Sequence, residues 1–210
     1  MDLFRQCALC RQCEGAAYQS PPVLSLGPID APIVILAQNP GEIHSDDKFR
    51  LAMAAAMLPI ASEEASGAFL QAWYMADYLT SGSASVMSRV LGTGWLSSGR
   101  YLYTNAVRCR TPGNKRPSRE MIDACSTWTR KLFFAHKRDG VILLGALAAE
   151  QLLGKLADKI SAGEYKHHPR FGLVLRLSHP ATWKTNDDIA AIRGIVNEYL
   201  SEVGGHDAHR

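Results

Sequence analysis

Four short segments of apolar, aromatic or β-branched residues constrain the fold of this chain more than any other feature. They are Ile33–Ala37, Tyr101–Thr104, Val141–Leu144 and Leu173–Leu177. Short apolar runs of this kind are typical of parallel strands that are covered on both faces. Helical patterns follow three strands in succession. The sequence therefore predicts an α/β fold of three layers, in which helices cover both faces of a central four-stranded parallel sheet.

Polar residues follow three of these segments and are candidate ligand contacts. Gln38 and Asn39 come after the first segment, Asn105 after the second, and His179 shortly after the fourth. Open α/β sheets bind their ligands at the carboxyl ends of their strands. The amide of Asn105 can donate and accept hydrogen bonds at once, which suits the edge of a pyrimidine.

A basic loop follows the second segment and leads to a helix that is predicted to begin near Ser118, a favourable N-cap residue. The cations of this loop are Arg108, Arg110, Lys115 and Arg116. The net charge of the chain is only +3, so the position of the charge is more informative than its total. The crowding of cations in one loop predicts contact with a polyanion such as DNA.

The chain has five cysteines, of which Cys7, Cys10 and Cys13 form a double C-x2-C pattern and Cys109 and Cys125 flank the basic loop. No signal-peptide pattern or membrane-spanning run is present, so we expect a cytoplasmic protein. In that compartment metal ligation is commoner than disulfide formation. Two amino-terminal cysteines, together with Cys109 and Cys125, would supply the four thiolates of a 4Fe-4S cluster. A zinc site and a set of reduced thiols are the alternatives.

Length and composition indicate a single globular domain over residues 1–210. Of the 210 residues, 47% are hydrophobic and 20% are charged, which is enough apolar material for a substantial core. Apolar residues at helical spacing predict a helical insertion at about 45–79, and residues 204–210 are predicted to be a frayed tail. We expect a monomer.

The sequence TNAVRCRTPGNKRP at residues 104–117, followed by Cys125, resembles the iron-sulfur uracil-DNA glycosylases of families 4 and 5. The resemblance extends to LGALAAEQL in residues 144–152 and to Ser178-His179-Pro180-Ala181. Asn39-Pro40-Gly41 corresponds to the first motif of the superfamily. The iron-sulfur families usually carry Gly-Glu at the start of this motif, and here Gln38 replaces the Glu.

The resemblance implies a DNA glycosylase that hydrolyses the N-glycosidic bond of a flipped-out uracil and leaves an abasic site. In that case Asn39 would position the attacking water, and His179 would stabilise the departing base. Gln38 and Asn105 would contact the base itself. A monofunctional enzyme, without a Schiff-base intermediate, is expected.

The resemblance also implies a structural 4Fe-4S cluster that ties the amino terminus to the loop after the second strand. The family pattern C-x2-C-R-x-x-E-G favours Cys7 and Cys10 as the first two ligands. Counting back from the Asn-Pro-Gly motif favours Cys10 and Cys13 instead. Cys109 and Cys125 would be the other two ligands in either case.

The base pocket departs from the family pattern beside the insertion. The position of the family's base-stacking Phe falls on Leu79, next to Tyr78. This substitution predicts a reshaped pocket, which would admit a bulkier pyrimidine such as the glycosylated hydroxymethylcytosine of phage DNA. Asp46 and Asp47 could supply the carboxylate that Gln38 lacks, or could be a solvated helix start.

Two further segments carry alternative interpretations. Trp183 and Lys184 lie where the family has a loop that wedges into DNA, although Trp183 could instead pack under its own loop. The basic run Lys166–Arg170 could contact phosphate or form a solvated hairpin. Two other functions remain open, namely a non-catalytic iron-sulfur DNA-binding protein of the same fold and an iron-sulfur redox or sensor protein.

Overall fold

The structure, a computed structural model, describes residues 25, 27–40, 82–92, 94–95, 98–111, 113 and 115–205. Its helices and strands are β1 (Ile33–Ala37), α1 (Gly82–Leu91), β2 (Tyr101–Asn105), α2 (Arg119–Ala135), β3 (Gly140–Leu144), α3 (Ala146–Leu153), β4 (Tyr165–His168), β5 (Gly172–Leu177) and α4 (Asn186–Gly205). Short 3-10 helices occupy Gly154–Lys159 and Pro180–Thr182.

The strands form one sheet in the order β2-β1-β3-β5-β4. The first four strands of this order are parallel, as predicted, and their register aligns Ala37 with Asn105 and Leu144 with Leu177. The predicted strand count is corrected from four to five, because β4 pairs antiparallel with β5 at the edge of the sheet. The sequence of β4 contains Lys166 and His167, which are exposed, so it lacks the apolar run of a strand buried on both faces.

The basic run Lys166–Arg170 therefore forms a hairpin with β5, which was one of its two predicted interpretations. The antiparallel register pairs Lys166 with Val174 and His168 with Gly172. Gly172 has a φ of 69°, and a Cβ at this position would lie 2.3 Å from the carbonyl oxygen of Asp139. Only glycine fits such a close approach of two backbones.

Alternate residues of each central strand pack on opposite faces of the sheet. Ile33 and Ile35 of β1 belong to a buried cluster with residues of α1 and α4. Val34 and Leu36 belong to a second cluster with residues of α2 and α3. This alternation follows from the two-residue period of a strand, and it confirms the predicted arrangement of helices on both faces.

Both ends of α2 are fixed by specific contacts. The Ser118 hydroxyl caps the helix by accepting a hydrogen bond of 3.3 Å from the Met121 N–H, as the sequence predicted. Beyond the carboxyl end, the buried Arg138 donates to the carbonyl oxygens of Ala31 and Ile29, each at 2.6 Å. Helix α2 is thus tied to the approach to β1, and its amino terminus fixes the end of the loop that follows β2.

Within the described ranges, no helix combines the length and the apolar character needed to cross a membrane. Several predicted features lie outside the described residues. These are Cys7, Cys10, Cys13, the insertion at about 45–79 with Asp46, Asp47, Tyr78 and Leu79, and the tail from residue 206 onward. Gly204 and Gly205 belong to α4, so the helix extends past the predicted start of the tail.

Candidate functional site

The carboxyl ends of β1 and β2 remain paired beyond the strands themselves. The Ala106 N–H donates to the Ala37 carbonyl at 2.8 Å, and the Val107 N–H donates to the Gln38 carbonyl at 2.9 Å. Asn39 directly follows Gln38. These bonds therefore hold Asn39 and Asn105 on adjacent strands at the same edge of the sheet.

His179 lies at this edge as well, because it follows the parallel strand β5. The strand order places Asn105 first, Asn39 next, then Gly145 after β3, and finally His179. Neighbouring strands are about 4.8 Å apart, so the ends of β1 and β5 are separated by about 10 Å. Asn39, Asn105 and His179 thus share the edge that the sequence predicted for a ligand.

The side-chain amide of Asn39 has hydrogen-bonding partners on both of its polar atoms. Its Oδ1 accepts from Gln38 Nε2 at 3.0 Å. Its Nδ2 donates to Thr111 Oγ1 and to the Pro40 carbonyl, both at 3.1 Å. The Thr111 hydroxyl in turn donates to the Lys115 carbonyl at 2.5 Å. Sequence reasoning missed Thr111, because a lone threonine in a loop has no spacing signal that would identify its partner.

Asn105 is buried with an unused acceptor. The residue is 4% exposed, and none of the described residues forms a hydrogen bond with its Oδ1. An unsatisfied buried acceptor costs about 1–3 kcal/mol relative to a satisfied one. A ligand that brings an N–H group to this position would remove that cost, which agrees with the predicted role of Asn105 in base binding.

The imidazole of His179 is held in one tautomer. Its Nδ1 accepts a hydrogen bond of 3.2 Å from the Ala181 N–H, within the turn that the 3-10 helix Pro180–Thr182 forms. In the neutral ring the proton must then reside on Nε2. Burial lowers the pKa of His179 below its ordinary value, which favours the neutral form. The side chain is therefore a neutral hydrogen-bond donor.

Gly145 lies directly beside the His179 ring. Its backbone has φ 90° and ψ 170°, a region that is populated almost only by glycine. A Cβ at this position would lie 3.4 Å from both Cβ and Cδ2 of His179. The start of the segment LGALAAEQL thus touches the candidate site, in addition to its predicted role in packing.

Trp183 does not take the position of a DNA wedge. Its side chain is 6% exposed and packs in the core cluster that contains residues of α1 and α4. The indole Nε1 donates to Ser178 Oγ at 2.7 Å, which closes the loop from Ser178 to Trp183. The alternative prediction, packing under its own loop, describes the structure. Lys184 is exposed.

Burial separates the basic residues of the loop after β2 into two pairs. Arg108 and Arg110 are buried, whereas Lys115 and Arg116 are exposed. Arg116 also forms a surface ion pair with Glu150, with 3.0 Å between Nη2 and Oε2. The prediction that all four cations face DNA is therefore corrected, because the described residues of the loop are buried as far as Thr111 and exposed at Gly113, Lys115 and Arg116.

Cys109 and Cys125 satisfy the first requirements for cluster ligands. Both are buried in the same core cluster, and no disulfide joins them to each other. Cys109 lies in the loop after β2, and Cys125 lies on the buried face of α2. Among the described residues no group of three or more His, Cys, Asp or Glu side chains could hold a metal ion. A four-cysteine ligand set that included this pair would need two more cysteines. The cysteines predicted to complete that set lie outside the described part of the chain.

Comparison with known proteins agrees with this arrangement. Residues 24–198 match the model of the Uracil DNA glycosylase superfamily. The type-4 uracil-DNA glycosylase of Pyrobaculum aerophilum is 28% identical over 81 residues, which are 37% of this chain and 41% of that protein. The chain thus spans about two fifths of the length of the curated relative that it matches.

Proposed function

We propose that this chain, which belongs to the uracil-DNA glycosylase superfamily, hydrolyses the N-glycosidic bond of a flipped-out uracil in DNA and leaves an abasic site. The observation that carries this proposal is the neutral, donating His179 at the sheet edge that also bears Asn39 and Asn105. At this edge His179 can donate a hydrogen bond to a leaving group, and Asn105 can accept one from a base. The amide of Asn39 can hold a water molecule.

Recognition of the base begins with its removal from the duplex, because a base within the stack cannot reach a buried pocket. The unused Oδ1 of Asn105 would then accept a hydrogen bond from the N3–H of uracil. This contact satisfies a buried acceptor that is costly in the free protein, so it contributes to the selection of a base with a donor at that position.

Cleavage transfers the electron pair of the bond between C1′ and N1 to the base. Negative charge then develops on the uracil ring and its O2, and positive charge develops on the sugar. The Nε2–H of His179 would donate to this oxygen and stabilise the charge as it forms. Removing a donor of this type in other enzymes costs about 10²–10³ in rate.

Water completes the reaction. Asn39 would hold a water molecule through its amide oxygen, and the water oxygen would bond to C1′ of the sugar. An amide is a poor general base, so the water gives up its proton to the surroundings only as it attacks the cationic sugar. The base anion takes up a proton on release. No covalent enzyme intermediate is formed, which is the monofunctional route.

Cys109 and Cys125 would be two of the four ligands of a 4Fe-4S cluster, with Cys7 and Cys10 as the others. The burial of both thiols in one core cluster, without a disulfide between them, supports this assignment. The cluster would be structural, tethering the amino terminus beside the loop that carries Lys115 and Arg116. These two residues and Lys184 would contact DNA phosphates from the exposed surface.

Base release under single-turnover conditions tests the proposal. The substrates are matched duplexes that contain either uracil or glycosylated hydroxymethylcytosine. We expect the wild-type protein to release uracil, and we expect His179→Ala to lose about 10²–10³ of that rate. His167→Ala is the matched control, because His167 is exposed and pairs with Leu173 at the start of β5, whereas His179 follows the end of that strand, and this variant should retain the wild-type rate.

The other outcomes each contradict part of the proposal. Release of only the bulkier base would show that uracil is the wrong substrate and that the pocket near Leu79 is enlarged. Binding of DNA without release of either base would favour the non-catalytic DNA-binding alternative.

A further inference from the structure

The hydroxyl of Thr111 connects two loops that are 72 positions apart in the sequence. Asn39 follows β1, whereas Thr111 belongs to the loop after β2 and is 5% exposed. The hydrogen bond of 3.1 Å between them links the Asn39 amide to that loop through side chains.

The direction of each hydrogen bond in this network follows from its partners. A hydroxyl has one proton, and a backbone carbonyl can only accept. The Thr111 proton must therefore point to the Lys115 carbonyl, 2.5 Å away. The Thr111 oxygen is left as an acceptor, and the group of Asn39 that faces it must be the donor Nδ2.

The contact of Asn39 with Pro40 imposes the same orientation, and its contact with Gln38 is compatible with it. The second proton of Nδ2 points to the Pro40 carbonyl, which also can only accept. Oδ1 receives a hydrogen bond from Gln38 Nε2. A flipped amide would place an oxygen against two acceptors, so the hydrogen bonds to Thr111 and Pro40 would both be lost.

We infer that Thr111 is a positioning residue that orients the Asn39 amide so that a lone pair of Oδ1 is free to accept a hydrogen bond from the attacking water. This inference rests on the proposed function, in which Asn39 holds that water. Both Nδ2 protons are already used, so the second lone pair of Oδ1 is the hydrogen-bonding capacity that the amide has left. A water that donates to Oδ1 keeps its own lone pairs for the sugar.

Two substitutions of Thr111 distinguish the effect of its hydroxyl group from the effect of its side-chain shape. Thr111→Val keeps the volume and branching and removes the hydroxyl, whereas Thr111→Ser keeps the hydroxyl. We expect Thr111→Val to lower the single-turnover rate of uracil release at least about tenfold, because small misplacements of a reacting group are costly. Its affinity for the duplex should be unchanged, and Thr111→Ser should remain close to wild type.

A double substitution tests whether the effect passes through Asn39. In an Asn39→Ala background, Thr111→Val should cause no further loss of rate, because the two changes would remove the same function. A further loss of similar size would overturn the inference, as would an equal loss in Thr111→Val and Thr111→Ser. A wild-type rate in Thr111→Val would also overturn it.

The orientation of the amide can be measured without turnover. We expect exchange of the Asn39 Nδ2 protons, followed by NMR, to be slow in the wild type and about tenfold faster in Thr111→Val, since one of their two acceptors is removed. Unchanged exchange in the variant would overturn the inference. Failure of the wild-type protein to release any base would instead contradict the proposed function, so the two failures are distinguishable.

Discussion

The two halves of the candidate site are held together in different ways. In the half formed by β1 and β2, the Asn39 amide is fixed by Thr111, which is 72 positions away. In the half formed by β5, the His179 ring is fixed by the Ala181 N–H, two positions away. The loop around His179 is closed by a hydrogen bond between Trp183 and Ser178, five positions apart. The first half thus depends on tertiary contacts, whereas the second is mainly a local turn.

This difference determines where substitutions should act. A change in the loop after β2 should reach Asn39 through the sheet edge, whereas the His179 turn should tolerate changes outside its own segment. Gly145 is the exception, because it brings a third strand into contact with the His179 ring.

The largest effect is expected for Gly145→Ala. The new methyl group would be in van der Waals contact with the His179 side chain, 3.4 Å from two of its atoms. The backbone of Gly145, with φ 90° and ψ 170°, is strained for alanine, and relief of that strain would shift the contact with the ring. We expect the single-turnover rate of base release to fall at least about tenfold, since a small misplacement of a reacting group is costly. We also expect the free energy of unfolding to fall by about 1–3 kcal/mol, because the backbone conformation is unfavourable for alanine.

Gly154→Ala is the matched control for this experiment. Gly154 also has a glycine-favouring backbone, with φ 56° and ψ −128°, but a Cβ there would meet no atom within 4 Å. This variant should lose stability without a specific loss of activity. Equal rates of base release in the two variants, per folded protein, would show that Gly145 does not position His179.

A smaller effect is expected for Trp183→Phe. The substitution keeps a buried aromatic ring and removes the hydrogen bond from Nε1 to Ser178 Oγ. We expect a decrease of about 1–2 kcal/mol in the free energy of unfolding, measured by urea denaturation, and no change in DNA affinity. If the variant instead bound DNA more weakly and kept the wild-type stability, Trp183 would contact DNA as a wedge in spite of its burial.

The smallest effect concerns the protonation of His179. Burial lowers the pKa of its imidazole, so the NMR titration midpoint of the ring should lie below the ordinary value of about 6.5. The native state then binds fewer protons than the unfolded state between the two pKa values. Through this group, stability should rise with pH across that window and stay constant above it. The ring resonance that is lost in His179→Gln belongs to His179. A titration midpoint of this resonance above about 6.5 would contradict the assignment of His179 as a neutral hydrogen-bond donor.

The sequence allowed the parallel part of the sheet and its polar strand ends to be predicted, because buried strands have a continuous apolar signal. Asn39, Asn105 and His179 could be placed at one edge for the same reason. The antiparallel strand β4 lacks a continuous apolar run. It lies at the edge of the sheet, where only β5 pairs with it, and its residues include exposed Lys166 and His167.

The remaining errors arose where the direction of a side chain decides its role. Arg108 and Trp183 are of types that suit DNA contact, yet the backbone turns both inward. Thr111 is an ordinary loop residue in the sequence, and only the pairing of the β1 and β2 ends brings it to Asn39. Residue type and spacing do not contain this information.

The most direct test of the account compares Asn39→Ala, Asn105→Ala and His179→Ala with the wild type in single-turnover release of uracil. Binding of each protein to a duplex with an abasic site serves as the control for folding and DNA contact. If the three residues act on one nucleotide at one edge of the sheet, each variant should lose at least about tenfold in rate and still bind the abasic duplex. A folded variant of any of the three that releases uracil at the wild-type rate would contradict the account.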